Sequence, residues 1–164
     1  MPTARNLWIR EGELAEMRDL ASQFAPLETG GVLVGYDTDC EGAVVTAVIG
    51  AGPKASHRRL RFRPDYDYQQ AQLEAHFVRT LGRETYLGDW HTHPAGGCAL
   101  SWLDRRVLVR IASMPSSGTT RPIMMILAGG QPDWNLHASQ LRALPKGLCK
   151  KTDLRELIPV TYDN

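Results

Sequence analysis

The sequence has few aromatic residues, almost no net charge and no long hydrophobic run. Phe, Trp and Tyr make up 7% of its 164 residues, and the formal net charge at pH 7 is +1. So small a charge predicts no general attraction to nucleic acid or to an anionic membrane. No apolar stretch approaches the roughly 20 residues of a membrane-spanning helix, and the N-terminus lacks the apolar segment of a secretory signal. We therefore expect a cytoplasmic protein that binds neither nucleic acid nor a membrane.

Cysteine is also scarce. The three cysteines, Cys40, Cys98 and Cys149, are widely spaced and odd in number, and none belongs to a Cys-x-x-Cys pair. This pattern argues against a disulfide framework and against an all-thiolate zinc site. Cys98 is most simply a small packed residue, with a metal-blocking thiol or a redox role as the alternatives.

Hydrophobic periodicity predicts helices and strands in mixed order. Helices are predicted over 11–24, from Asp65 or Asp67 to about 80, and over 101–113. Strands are predicted over 7–9, 32–34, 43–49, 60–63, 86–93, 122–128 and 134–139, with a loop at 50–59 and one helical turn at 153–158. The order predicts an α+β fold with a central mixed sheet flanked by helices. We expect one domain over 1–164, with its core at about 7–140 and a C-terminal tail at 144–164.

Two histidines stand near the end of the predicted strand 86–93. Side chains alternate along a strand, so Asp89, His91 and His93 share one face. Imidazoles two residues apart, about 7 Å between Cα atoms, can bind the same metal ion. Asp89 is expected to hydrogen-bond beside such a site rather than to bind the ion.

A glycine loop then connects this strand to the helix that begins at Ser101. Asp104 lies in the first turn of that helix, and a helix start beside the strand end would bring its carboxylate back to the histidines. Two imidazoles and one carboxylate, with a fourth position open, form the pattern of a catalytic zinc site. Taken singly, Ser101 is most simply an N-cap, and Asp104 a favourable acid near a helix start.

Such a site also needs a proton acceptor that is not a metal ligand. The candidate is Glu28, which stands just before Gly30, Gly31 and a buried apolar run. An acid in that position is poorly explained as part of a solvated surface.

Together these residues resemble the JAMM (MPN+) metalloprotease signature, over roughly residues 7–140. The matching features are Glu28 followed by GGVLVGY, Trp90, His91-x-His93-Pro94 and, after six residues, Ser101-x-x-Asp104. The resemblance implies the JAMM/MPN fold, which is cytidine-deaminase-like, and a Zn²⁺-dependent isopeptidase. It implies these roles: His91, His93 and Asp104 as zinc ligands, Glu28 as the general acid/base, and Ser101 as the donor to the oxyanion.

The implied substrate is a ubiquitin-like protein, cleaved after its C-terminal glycine from a target lysine or from an extended precursor. The stretches FRPDYDYQQ and YLGDWHTHP are similar to bacterial JAMM proteases of anti-phage operons, either of the CBASS type or with their own ubiquitin-like protein. The implied partners are that protein, its conjugates, and operon-encoded activating and conjugating enzymes.

Other functions remain open at this point. The same chemistry could process sulfur-carrier proteins, and a non-catalytic MPN or RadC-like protein would only bind. A zinc deaminase is disfavoured, because His91-x-His93 has no Glu at its second position and no cysteine pair follows. The basic segment 57–63 could contact a partner or form a solvated strand face.

Overall fold

The protein is described by a computed structural model that covers residues 5–38, 42–145 and 152–163. Its strands are β1 (Arg5–Arg10), β2 (Gly30–Asp37), β3 (Gly42–Ile49), β4 (Ser56–Arg58), β5 (Arg61–Arg63), β6 (Thr85–Pro94), β7 (Ile123–Gly129), β8 (Trp134–Ala143) and β9 (Asp153–Tyr162). Its α-helices are α1 (Glu11–Phe24), α2 (Tyr66–Arg79) and α3 (Trp102–Ser113), and a short 3-10 helix spans Pro115–Ser117. Cys40 and Cys149 lie outside the described residues.

The three α-helices begin and end within about one residue of the expected positions. Asp65 caps α2, because its side chain accepts a hydrogen bond from the Tyr68 amide at 3.2 Å, as an N-cap residue should. Among the described residues, no helix is both long and apolar enough to cross a membrane.

Seven strands form one mixed sheet in the order β1-β3-β2-β6-β7-β8-β9, and β9 pairs back to β1 so that the sheet closes. The pairs β1-β3, β1-β9 and β6-β7 are parallel, and the other neighbours are antiparallel. The expected α+β class with a mixed sheet is confirmed. Closure was not predicted, and it removes the free edges that an open sheet would have.

The C-terminal segment corrects the sequence-based expectation. Residues 153–158 are not a helical turn, because they begin the strand β9, which pairs with β1 and with β8. The segment set apart as a tail therefore closes the sheet. Leu157 is 2% exposed and belongs to the main hydrophobic core.

The segment 50–59 is also more ordered than the expected loop. Its last residues form β4, which pairs with β5 in a two-stranded antiparallel ribbon with the register Ser56↔Arg63, His57↔Phe62 and Arg58↔Arg61. Hydrophobic alternation indicated only β5, because the half-buried residue of β5 is the apolar Phe62, whereas that of β4 is His57.

The described residues form three hydrophobic clusters: a large main cluster, a second under α3, and a small third one of Val32, Val34 and Ile49. Both faces of β7 are buried, so β7 joins the first two. The main cluster includes Leu7, Ile9, Met17, Leu33, Trp90, Met125, Leu127 and Leu157, and the second consists of Leu100, Leu108, Met124, Ile126 and Ala128. The strand β6 lies beside β7, which fixes the strand that carries the two histidines against the most buried part of the molecule.

Candidate metal centre

The strand β6 presents its two histidines on the expected face. Gly88, Trp90 and Thr92 are buried, whereas Asp89, His91 and His93 are half-buried. The buried face is held by β2 on one side and β7 on the other. The imidazoles consequently project from a rigid central strand rather than from a loop.

Gly30 permits β2 to approach β6 closely at this point. Gly30 pairs with His91, and a Cβ atom at Gly30 would lie 2.3 Å from the Trp90 carbonyl oxygen and 2.8 Å from the His91 Cβ. Any side chain there would push the two strands apart. Gly30, two residues after Glu28, therefore allows β2 to pack close enough to β6 to hold His91 in position.

Three potential ligands converge near the C-terminal end of β6. The Nε2 atoms of His91 and His93 are 3.0 Å apart, and they lie 3.2 Å and 3.8 Å from the two carboxylate oxygens of Asp104. All three ligand atoms lie within 4.8 Å of one another. Nitrogen and oxygen donors in this number and spacing could hold a divalent metal ion such as zinc.

Hydrogen bonds to the backbone orient these ligands. The Nδ1 atom of His93 lies 3.0 Å from the Gly97 carbonyl oxygen, which can accept its proton and leave Nε2 as the free donor atom. The Asp104 carboxylate accepts a hydrogen bond from the Ser101 amide at 2.7 Å, and the Ser101 hydroxyl accepts one from the Asp104 amide at 3.1 Å. This reciprocal capping box begins α3 and directs Asp104 toward the histidines.

The Asp104 carboxyl is strongly acidic in this setting. Burial by itself would raise its pKa, but the hydrogen bond and charge of His91 and the two Ser101 hydrogen bonds outweigh burial and lower the pKa to about 2. Asp104 is therefore ionised near neutral pH, as a metal ligand must be.

Glu28 lies near these three residues. It precedes β2 by two residues and therefore belongs to the loop that leads into that strand. Burial raises the pKa of its carboxyl, whereas nearby His91 and His93 lower it and Asp104 raises it. The backbone geometry agrees, because Gly30, two residues after Glu28, is paired with His91. A half-buried carboxyl of raised pKa is suited to accept and return a proton.

The Glu28 backbone is held by the ribbon formed by β4 and β5. Its amide donates to the Arg58 carbonyl at 2.8 Å, and its carbonyl accepts from Nδ1 of His57 at 3.0 Å. The His57 ring stacks on Phe24 with centroids 3.8 Å apart. In the sequence, His57 is recognisable only as part of a basic segment, because nothing local indicates that it contacts a residue 29 positions earlier.

Thr29, the residue after Glu28, is hydrogen-bonded directly to β6, the strand that carries the two histidines. The Thr29 amide donates to the Thr92 hydroxyl at 3.0 Å, and the Thr92 amide donates to the Thr29 carbonyl at 2.8 Å. Both threonines are almost fully buried. Thr92, which lies between the two histidines, thereby fixes the chain that carries Glu28. In the sequence, this contact was indicated only by strand alternation, which places Thr92 on the buried face of β6.

Two further residues occupy the places expected of them. Asp89 accepts a hydrogen bond from the Tyr86 hydroxyl at 2.9 Å and is not in the convergent cluster, and burial raises its pKa to about 6 against the opposing effects of Tyr86 and His91. Cys98 is a free thiol that packs against the cluster under α3, which agrees with a packed residue.

The arrangement matches a known family. Residues 10–141 match the family described as prokaryotic homologs of the JAB domain. The chain belongs to this family. The matched region contains the convergent cluster, Glu28 and Ser101, but it ends before β9. The described residues of this JAB-domain protein form a mixed sheet and three α-helices in an α+β arrangement.

Relatives of this JAB-domain protein carry enzyme names. It is 42% identical over 134 residues to "Probable metalloprotease y4qB" of Sinorhizobium fredii, covering 80% of this chain and 81% of that protein. It is 31% identical over 115 residues to "CD-NTase/cGAS isopeptidase" of Enterobacter hormaechei, covering 68% of this chain and 62% of that protein. The solution structure of protein DSY2949 from Desulfitobacterium hafniense aligns with a TM-score of 0.65 at 20% identity, over 96% of this chain and 94% of that one, which shows a shared fold.

Proposed function

We propose that this JAB-domain protein is a zinc-dependent isopeptidase. It cleaves after the C-terminal glycine of a ubiquitin-like protein, either from a target lysine or from an extended precursor. The observation that carries the proposal is the convergence of His91, His93 and Asp104, together with the hydrogen bonds that hold the segment of Glu28 against the same strand.

Zinc suits the donor set. Two imidazole nitrogens and one carboxylate oxygen would hold Zn²⁺ and leave the open coordination position that catalytic sites keep. Bound there, the metal would supply Lewis-acid activation of water and polarise the scissile carbonyl.

The chain's own side chains then move the proton and stabilise charge. Glu28 accepts a proton from the attacking water at its carboxylate and returns it to the leaving amine, which a raised pKa favours. A serine hydroxyl can accept and donate hydrogen bonds at the same time. The Ser101 oxygen accepts from the Asp104 amide, and its proton could be donated to the substrate. That donation would stabilise the oxyanion of the tetrahedral intermediate.

The substrate class is supported by a relative. The isopeptidase name of the Enterobacter hormaechei protein fits cleavage of a bond between a C-terminal glycine and a lysine side chain. A bacterial anti-phage conjugation system, with its own activating and conjugating enzymes, is the setting we infer. Processing of sulfur-carrier proteins would use the same residues on a different modifier.

The test is cleavage of fusions of ubiquitin-like proteins by the zinc-loaded protein, with and without chelator. We expect Glu28→Gln to abolish cleavage while it retains about one zinc per chain, since Glu28 is not among the ligands. His93→Ala should lose both zinc and cleavage. Glu74→Gln, an exposed position on α2, is the matched control and should cleave normally.

Each outcome has a definite meaning. Normal cleavage by Glu28→Gln would refute the role of Glu28 as the base. Full zinc content without cleavage of any such fusion would favour the binding-scaffold alternative, and cleavage of sulfur-carrier fusions alone would change the substrate.

A further inference from the structure

The ribbon formed by β4 and β5 has an outer face that the proposed chemistry does not use. His57 and Phe62 are paired across the ribbon and face inward, with both side chains half-buried and their rings 5.6 Å apart. The other register pairs, Ser56↔Arg63 and Arg58↔Arg61, therefore face outward together. Arg58, Arg61 and Arg63 are all exposed on that face.

This outer face is electrostatically unfavourable by itself. Arg58 and Arg61 are directly opposite one another, and like charges in that relation destabilise a strand pair. Arg59 in the turn adds a fourth positive charge. Within the described part of the chain, none of these four arginines has an ion-pair partner. The repulsion is thus uncompensated within that part of the chain, so a binding partner could relieve it.

The ribbon lies directly beside the proposed catalytic base. The Arg58 carbonyl and the His57 ring hold the two backbone polar groups of Glu28. The strand that carries Arg58 is therefore attached to the chain that carries Glu28, while the arginine side chains lie on the other face of the same ribbon. At the turn, Leu60 is 91% exposed and offers an apolar contact beside the charges.

We propose that Arg58, Arg61 and Arg63 bind an acidic segment of the polypeptide substrate, rich in Asp or Glu. This inference rests on the proposed function, because that function supplies a polypeptide substrate that must approach the ribbon beside Glu28. Guanidinium groups pair with carboxylates in a bidentate geometry. A nucleic acid is the less suitable occupant, since the patch spans only two strands of three residues and the chain has a formal net charge of +1.

The first experiment measures binding without turnover. Fluorescence anisotropy of a labelled peptide of alternating Glu and Gly is recorded with the zinc-loaded Glu28→Gln protein, beside the same peptide with Gln in place of Glu. We expect binding of the Glu peptide that weakens with added salt, and little binding of the Gln peptide. An Arg61→Glu substitution should weaken binding by roughly tenfold or more.

Arg61→Glu also separates recognition from folding. It replaces a like-charge cross-strand pair with an opposite-charge pair, so its Tm should equal or exceed that of the parent protein. Arg110→Glu, at an exposed position in the last turn of α3, makes the same charge change away from the ribbon and should bind the Glu peptide normally. A loss of binding by Arg61→Glu without a loss of stability is the expected signature.

Three results would overturn the inference. They are equal binding of the Gln peptide, undiminished binding by Arg61→Glu, and tighter binding of a single-stranded oligonucleotide of equal charge. Because these measurements need no cleavage, a failure of the isopeptidase proposal would be seen separately. If cleavage occurs, Arg61→Glu should raise KM for a fusion with acidic residues beyond the scissile bond and leave kcat nearly unchanged.

Discussion

Ser101 and Asp104 each use one side chain for two purposes. Their reciprocal hydrogen bonds cap α3, and the same geometry directs the Asp104 carboxylate toward His91 and His93. A change at Ser101 can therefore act through stability, through ligand placement or through lost oxyanion stabilisation. At the scale of the residue, these effects are separable by the choice of substitution.

We predict that both Ser101→Ala and Ser101→Gly reduce the cleavage rate by roughly a hundredfold, because each removes a hydroxyl donor. Their stabilities should differ, since Ala at an N-cap costs about 1 kcal/mol and Gly only a few tenths. Rates are compared with urea unfolding, and Ser101→Thr, which keeps the hydroxyl and the cap, is the control. An unchanged rate in the Gly variant would reduce Ser101 to a helix cap.

His57 is predicted to position Glu28. In His57→Phe, a ring remains to stack on Phe24, but the hydrogen bond to the Glu28 carbonyl is lost. We expect kcat to fall by about tenfold to a hundredfold, because small misplacement of a catalytic group is costly, with KM and zinc content unchanged. His57→Asn, which restores an N–H donor near Nδ1, should recover part of the loss. Equal kcat for His57→Phe and the wild type would show that this hydrogen bond does not position the base.

At the scale of the element, the site depends on how closely β2 approaches β6. We predict that Gly30→Ala destabilises the protein by about 1–3 kcal/mol, as overpacking does, and weakens zinc binding by displacing His91. Gly12→Ala is the matched control: Gly12 lies in α1, and a Cβ atom there meets nothing within 4 Å. That change should stabilise the protein by about 0.5–1 kcal/mol. Urea unfolding and zinc competition measure both variants, and a neutral Gly30→Ala would contradict the close approach.

The elements also show what the sequence could and could not predict. The convergence of the three potential ligands was predictable, because strand alternation placed His91 and His93 on one face and helix geometry placed Asp104 near them. The starts of α2 and α3 followed from cap residues, Asp65 (one of the two candidates) and Ser101, whereas α1 begins after Arg10 without a side-chain cap. In contrast, β4 was missed because its stability comes from pairing with β5 and from His57 packing on Phe24, contacts that no local pattern reveals.

At the scale of the molecule, the sheet is complete only with a strand from beyond the family match. That match ends at residue 141, whereas β9 begins at Asp153 and pairs with both β1 and β8. Without β9, each of these strands would have an exposed edge. The core predicted from the sequence, at about 7–140, ended before β9. One of the two strands that pair with β9, β1, is distant in sequence, so the residues of β9 by themselves carried no sufficient signal.

The adjacent residues Leu157 and Ile158 test this closure. Leu157 is 2% exposed within the main core, whereas Ile158 is 48% exposed. We predict that Leu157→Ala lowers the free energy of unfolding by about 2–5 kcal/mol, and that Ile158→Ala changes it by less than about 1 kcal/mol. Urea denaturation monitored by Trp fluorescence measures both. Similar losses in the two variants would show that β9 does not pack as the closing strand, and the edges of β1 and β8 would then need another cover.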